Sequence, residues 1–162
     1  MTSRIADFLD AIGIEVVPAR LEGETFLPGI LVSGGKLLVD EEKLTYPGDL
    51  LHEAGHLAVV PGSLRAGLGG VVNVPGMDMA AVEVLAVAWS YAAARHLDID
   101  LRVVFHEGGY KGKSEGLVFT FGVGVYPGAS GLQEAGMTAA SGDLARRLGV
   151  PAYPHMLKWL RD

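Results

Sequence analysis

His52-Glu53-Ala54-Gly55-His56 holds the residues of this chain best suited to chemistry. Two histidines at i and i+4 lie one turn apart on the same face of a helix, so their imidazoles can meet a single metal ion. Neutral imidazole is a preferred ligand of zinc. Glu53 follows the first histidine directly and can stand beside a water on the metal without binding the metal itself. Zinc lowers the pKa of such a water toward about 7, and a carboxylate within hydrogen-bond reach then takes its proton. The H-E-x-x-H pattern thus carries a mechanism, hydrolysis by an activated water, as well as a spelling. A chance match is expected in roughly one chain of this length in a few hundred. The bland alternative is a pair of ordinary, partly buried histidines. The apolar flanks Leu50, Leu51, Leu57 and Ala58 favour the first reading, since they suit a buried active-site helix.

A helix must hold these residues, and the flanking sequence supplies its signals. Thr45-Tyr46-Pro47-Gly48-Asp49 reads as a helix start, with Thr45 or Tyr46 as the cap, Pro47 in the first turn and Asp49 near the positive helix end. The helix is expected from about Pro47 to Val59, stopped by Pro61-Gly62. A second long helix, from Met79 to about His96, follows Asp78 as its cap and is dense enough in Ala, Leu and Val to be largely buried. Upstream, Ser3 to Ala11 reads as an opening helix ended by Gly13. Glu15 to Leu21 reads as a strand whose Pro18 suits a sheet edge. Gly29 to Asp40 carries two apolar runs around Gly34-Gly35, a hairpin signature. Val71 to Val74, Leu101 to His106 and Leu117 to Val125 read as further extended segments. Gly142 to Leu148 and Tyr153 to Leu160 read as closing helices. Hairpin strands with separate helices predict an α+β fold, with residues 1–162 in one domain.

Composition narrows the function further. Apolar residues make up 49% of the 162 and charged residues 20%, a globular balance that argues against disorder. The formal net charge of −6, with no local run of Lys and Arg, argues against nucleic acid as a partner. The chain has no cysteine, which excludes a disulfide framework, a thiolate zinc finger, an iron–sulfur cluster and a cysteine nucleophile. The opening MTSRIADFLDAIG lacks the apolar run of a secretory signal. The most apolar segment, Met79 to Ala94, is short for a bilayer and contains Glu83. A cytoplasmic location without a membrane partner is the expectation.

A catalytic zinc usually takes three protein ligands, so a third is needed beyond His52 and His56. In the long motif H-E-x-x-H-x-x-G-x-x-H it is a histidine, but Val59 and Gly62 occupy the corresponding positions here. HEAGH followed by a second helix bearing a glutamate resembles the gluzincin branch of zinc peptidases, whose third ligand is such a glutamate. The resemblance points to Glu83, which lies 27 residues after His56 and is the only acid between Asp78 and Asp98. A lone carboxylate in so apolar a helix also needs a partner, and a metal would supply one. An exposed stripe or an arginine partner would explain it as well. The order of hairpin, HExxH helix, connector and Glu-bearing helix is loosely similar to the IrrE-like metallopeptidase group over about Ile30 to Ala94. The likeness implies a zincin-like fold, a small mixed or antiparallel sheet packed on the HExxH helix and the Glu-bearing helix. It also implies a peptide or protein substrate and Glu53 as general base and later proton donor to the leaving amine.

Peptidase sites of this kind often use a His or Tyr to steady the oxyanion. His106 and Tyr110 are the candidates, at a strand end where a glycine-rich turn begins; an ordinary strand-end histidine is the bland alternative. Asp49 could orient a ligand imidazole, although a role at the helix start explains it equally. His96 reads as a cation near a negative helix terminus and His155 as a surface residue. A zincin-like domain that binds a metal or a partner without turnover is the competing function. A di-iron bundle is rejected because Glu83 is followed by Ala86 where that motif needs histidine. Peptide deformylase shares HExxH but uses a cysteine ligand, which this chain lacks.

Overall fold

Apolar residues recur along one face of the opening segment, and Thr2–Ile12 accordingly forms helix α1, burying Ile5, Phe8 and Leu9. Gly13 ends it in the left-handed region, at φ 96°, where a missing Cβ removes the steric cost. The computed structural model describes residues 1–162. Three short strands follow: β1 (Val16–Pro18), β2 (Ile30–Ser33) and β3 (Lys36–Val39). β2 and β3 make the expected hairpin around Gly34-Gly35, pairing antiparallel from Ile30 with Val39 to Ser33 with Lys36. β1 runs parallel along the other side of β3, so the sheet is mixed, in the order β1-β3-β2. Pro18 therefore sits on an edge strand. Alternation sends Ile30, Val32, Leu37 and Val39 into the core.

The rest is helical: α2 (Asp49–Val59), the single turn α3 (Gly62–Arg65), α4 (Met79–His96), the single turn α5 (Leu101–Val104), α6 (Ser114–Gly122), α7 (Ala129–Glu134) and α8 (Gly142–Leu148). The class is α+β, as expected. α2 and α4 form the central pair, with Leu50, Leu51 and Leu57 of one helix and Trp89, Ala92 and Ala93 of the other fully buried. α4 starts where the sequence signals it, with the Asp78 carboxylate accepting from Ala80 N at 2.9 Å. The two helices approach closely because Gly55 has no side chain. A Cβ there would stand 2.8 Å from the Ala86 carbonyl oxygen and 3.1 Å from Ser90 Oγ. Ser90 Oγ lies 3.0 Å from the Leu51 carbonyl and 2.7 Å from that of Ala86, so its one proton is shared between the helices. No helix is long and apolar enough to cross a membrane.

Several segments depart from the sequence expectation, each for a local reason. Leu101–Val104 is a helical turn, not a strand: Asp100 caps it by accepting from Arg102 N at 2.8 Å, and this outweighs the β-propensity of Val103-Val104. The same turn lies hard against the start of α2. A Cβ on Gly48 would stand 1.9 Å from the Val103 carbonyl oxygen, and Gly48, not Thr45 or Tyr46, is the cap. Leu117 to Val125 is mostly helix α6; an apolar run without alternation fits either state, and Phe121 settles inward against Tyr91 and Phe105. Val71 to Val74 forms no strand, and the sheet's extra contact is a bridge from Ser33 to Gly69. Tyr153 to Leu160 is not helical either. Tyr153 N donates to Ala139 O at 2.9 Å and Leu157 N to Met137 O at 2.8 Å, while Trp159 O accepts the Trp89 indole N–H at 2.8 Å.

Candidate metal centre

Asp49, His52, Glu53 and His56 stand at i, i+3, i+4 and i+7, which puts all four along one face of α2. α4 passes beside that face and brings Glu83, in its second turn, over the two histidines. His52 Nε2 and His56 Nε2 are 3.2 Å apart. Glu83 Oε2 is 3.1 Å from His56 Nε2, and its Oε1 is 3.7 Å from His52 Nε2. The ligand atoms of the three residues lie within 4.8 Å of one another, and no other His, Asp and Glu group in the chain converges in this way. Donors around a tetrahedral ion bound at 2.0–2.2 Å stand roughly 3.3–3.6 Å apart, and the observed separations bracket that range. The imidazoles are 13% and 11% exposed and the Glu83 side chain 46%, so the group opens to solvent on the α4 side.

Two imidazole nitrogens and a carboxylate without sulfur suit zinc, although the general affinity order also admits nickel and copper. The electrostatics agree with that donor set. Burial, helped by His56, depresses the His52 pKa to about 4, which leaves a neutral ring with a lone pair to give. The hydrogen bond from His56 holds the Glu83 carboxyl below the usual range and keeps it ionised. Neutral imidazole and ionised carboxylate are what metal ligation requires, and an ion between His56 Nε2 and Glu83 would displace the proton the two share. His56 Nδ1 is buried with no protein partner.

Glu53 is buried, at 9% exposure, on the ligand face of α2. Burial raises its pKa, while the charge of His56 acts in the other direction. A buried carboxyl with raised proton affinity on the face of a candidate metal-holding group fits acid–base work.

His106 and Tyr110 both lie against α2, but each is already engaged. His106 Nε2 is 2.8 Å from Asp49 Oδ1, and its ring stacks on Tyr46 at 3.7 Å. Tyr110 presents its hydroxyl to His52 Nδ1 at 3.3 Å, the nitrogen turned away from Glu83 and His56. Tyr110 thus lies beside a candidate ligand and His106 behind it at Asp49, and an oxyanion role for either stays an expectation from the sequence. Asp49 stands in the first turn of α2, as expected, and holds His106 and not a ligand imidazole. His96 packs against Phe8 and Trp159, and His155 is exposed; neither joins the ligand group.

Two features escaped the sequence reading. The Asp49–His106 pair spans two elements and left no motif. Gly55 stands in plain view inside HEAGH, and a glycine at a variable motif position could have been read as a close helix approach. No protein-family model, no curated protein and no solved structure matches this chain.

Proposed function

We propose that this protein is a zinc-dependent hydrolase of gluzincin type, acting on a cytoplasmic peptide or protein. In this reading the fold is zincin-like, His52, His56 and Glu83 hold the ion, and Glu53 is the general base. One observation carries the reading: two imidazole nitrogens and a carboxylate from separate helices converge at 3.1–3.7 Å on the face that also bears buried Glu53. When bound, zinc supplies Lewis acidity, making a nearby water acidic near neutral pH and polarising a scissile carbonyl. Glu53 takes the proton from that water and returns it to the leaving amine. Its burial favours this cycle, because a carboxylate with raised proton affinity holds the proton through the step. Glu83, exposed along one flank, leaves room on the α4 side for an extended substrate.

The test begins with protein purified without a histidine tag or chelator. Zinc at about one ion per chain, lost in His52→Ala, is the expected result, together with cleavage of a mixed peptide library by wild type alone. A wild-type protein that takes up no added zinc would sink the metal reading. Identical library profiles for wild type and His52→Ala would sink the hydrolase.

A further inference from the structure

Tyr110 covers the ring of His52 from the side away from the other candidate ligands. Its hydroxyl oxygen is 3.3 Å from His52 Nδ1, and the two rings meet edge-on at 5.4 Å and 83°. The other nitrogen, Nε2, faces His56 and Glu83. An imidazole that gives its Nε2 lone pair to a metal carries its proton on Nδ1, and that N–H then needs an acceptor. The Tyr110 hydroxyl is the acceptor in place.

The loop that brings it there is held under constraint. Tyr110 and Lys111 are consecutive non-glycine residues in the left-handed region, at φ 55° and 53°. Such conformations persist only where the surroundings over-determine them. Here the surroundings are specific. His106 is fastened to Asp49 and stacked on Tyr46. Gly108 and Gly109 pass where a Cβ would stand 2.6 Å from the Tyr46 hydroxyl and 3.1 Å from His106 Cε1. Gly109 N and Ser114 Oγ both donate to the His106 carbonyl, and Phe105 packs edge-on against the Tyr110 ring at 5.4 Å. The loop is thus pinned to α2 at Asp49 and again one turn later at His52.

We propose that Tyr110 is a positioning residue whose hydroxyl accepts the Nδ1–H of His52, fixing the tautomer that leaves Nε2 free for a metal, with the Asp49–His106 pair anchoring the loop that delivers it. The proposal rests on His52 being a ligand. It assigns Tyr110 to the far nitrogen of a ligand, and so gives a role to a half-buried phenol that the hydrolytic step does not use.

Tyr110→Phe keeps the ring and removes the acceptor. Zinc affinity, measured by competition with a chromophoric chelator, is expected to fall 10–100-fold, the range typical of lost partners behind a ligand histidine. Long-range ¹⁵N–¹H spectra of the zinc-free protein give a readout independent of affinity and activity. His52 is expected to be protonated on Nδ1 in wild type and to show a mixture of tautomers in Tyr110→Phe. Unchanged zinc affinity in Tyr110→Phe overturns the proposal and leaves the metal site standing. So does a wild-type His52 that carries its proton on Nε2. A wild type that binds no zinc overturns the proposal together with the ligand reading beneath it.

Discussion

Asp49 Oδ1 and His106 Nε2 meet at 2.8 Å with both side chains more than nine-tenths buried, joining the first turn of α2 to a loop 57 residues later. Burial raises the Asp49 pKa, while the hydrogen bond and the charge of His106 pull it back. The folded chain therefore keeps this proton to a higher pH than the unfolded chain, whose aspartates titrate near about 3.9. The carboxyl's contribution to stability is greatest below that value and is lost as pH rises through the folded pKa. His106→Leu removes the partner that limits the shift and widens the window. Its destabilisation relative to wild type should grow between about pH 4 and about pH 7, reaching about 3 kcal/mol. Urea unfolding of the two proteins at both pH values measures this. A difference that does not change with pH would assign the effect to lost packing instead of charge.

Gly55 sets the spacing of α2 and α4, and with it the reach of Glu83 to the histidines. In Gly55→Ala the added methyl meets backbone at Ala86, which cannot turn aside as a flexible side chain would. Overpacking of this kind costs about 1–3 kcal/mol, which should appear as a lower urea midpoint with an unchanged slope. Zinc affinity should fall as well, since Glu83 lies one turn before Ala86 on the displaced helix. A variant that is less stable but binds zinc as wild type does would show that the site tolerates the shift.

The parts of this molecule legible in its sequence were those governed by local rules. The hairpin at Gly34-Gly35, the left-handed stop at Gly13, the Asp78 cap and the i, i+4 histidines each depend on a few neighbouring residues, and each is present in the fold. The failures fall where tertiary contacts decide. Val103-Val104 carries strand propensity yet closes into a turn under Asp100 and the start of α2, and Phe121 draws an ambiguous apolar run into a helix. The same division holds at the site. The convergence of His52 and His56 was readable from spacing, and that of Glu83 from its isolation in an apolar helix together with a family resemblance. The partners of Asp49 and Tyr110 were not, because each contact joins residues more than fifty positions apart and no local pattern encodes that.

Glu83 and Asp78 sit five residues apart on one helix and should behave oppositely. Asp78→Ala removes a helix cap, costing about 1 kcal/mol of stability with little effect on zinc. Glu83→Ala leaves the cap intact and removes a candidate ligand. Its loss of zinc affinity should exceed the 10–100-fold typical of partners behind a ligand, with stability nearly unchanged because the side chain is half exposed. Chelator competition and thermal unfolding of the metal-free proteins separate the two effects. Equal zinc affinities in the two variants would remove Glu83 from the ligand set.

Glu53→Gln separates a base from a ligand. Glutamine is nearly isosteric with glutamate, and Glu53 is not among the three converging donors, so the variant should fold and take up zinc as wild type does. An amide cannot accept a water's proton at neutral pH, however, and general-base contributions are about 10²–10⁴-fold. The turnover number should drop by at least that range, with the Michaelis constant little changed because the interaction removed belongs to the transition state. His52→Ala should instead lose zinc and turnover together. A mixed peptide library read by mass spectrometry supplies the substrates, and added zinc at saturation removes any difference in loading. If Glu53→Gln and wild type then cleave the same peptides at the same rates, the catalytic role of Glu53 fails. The site would be a metal-holding element of a binding domain, and partner capture by the zinc-loaded chain would become the measurement to make.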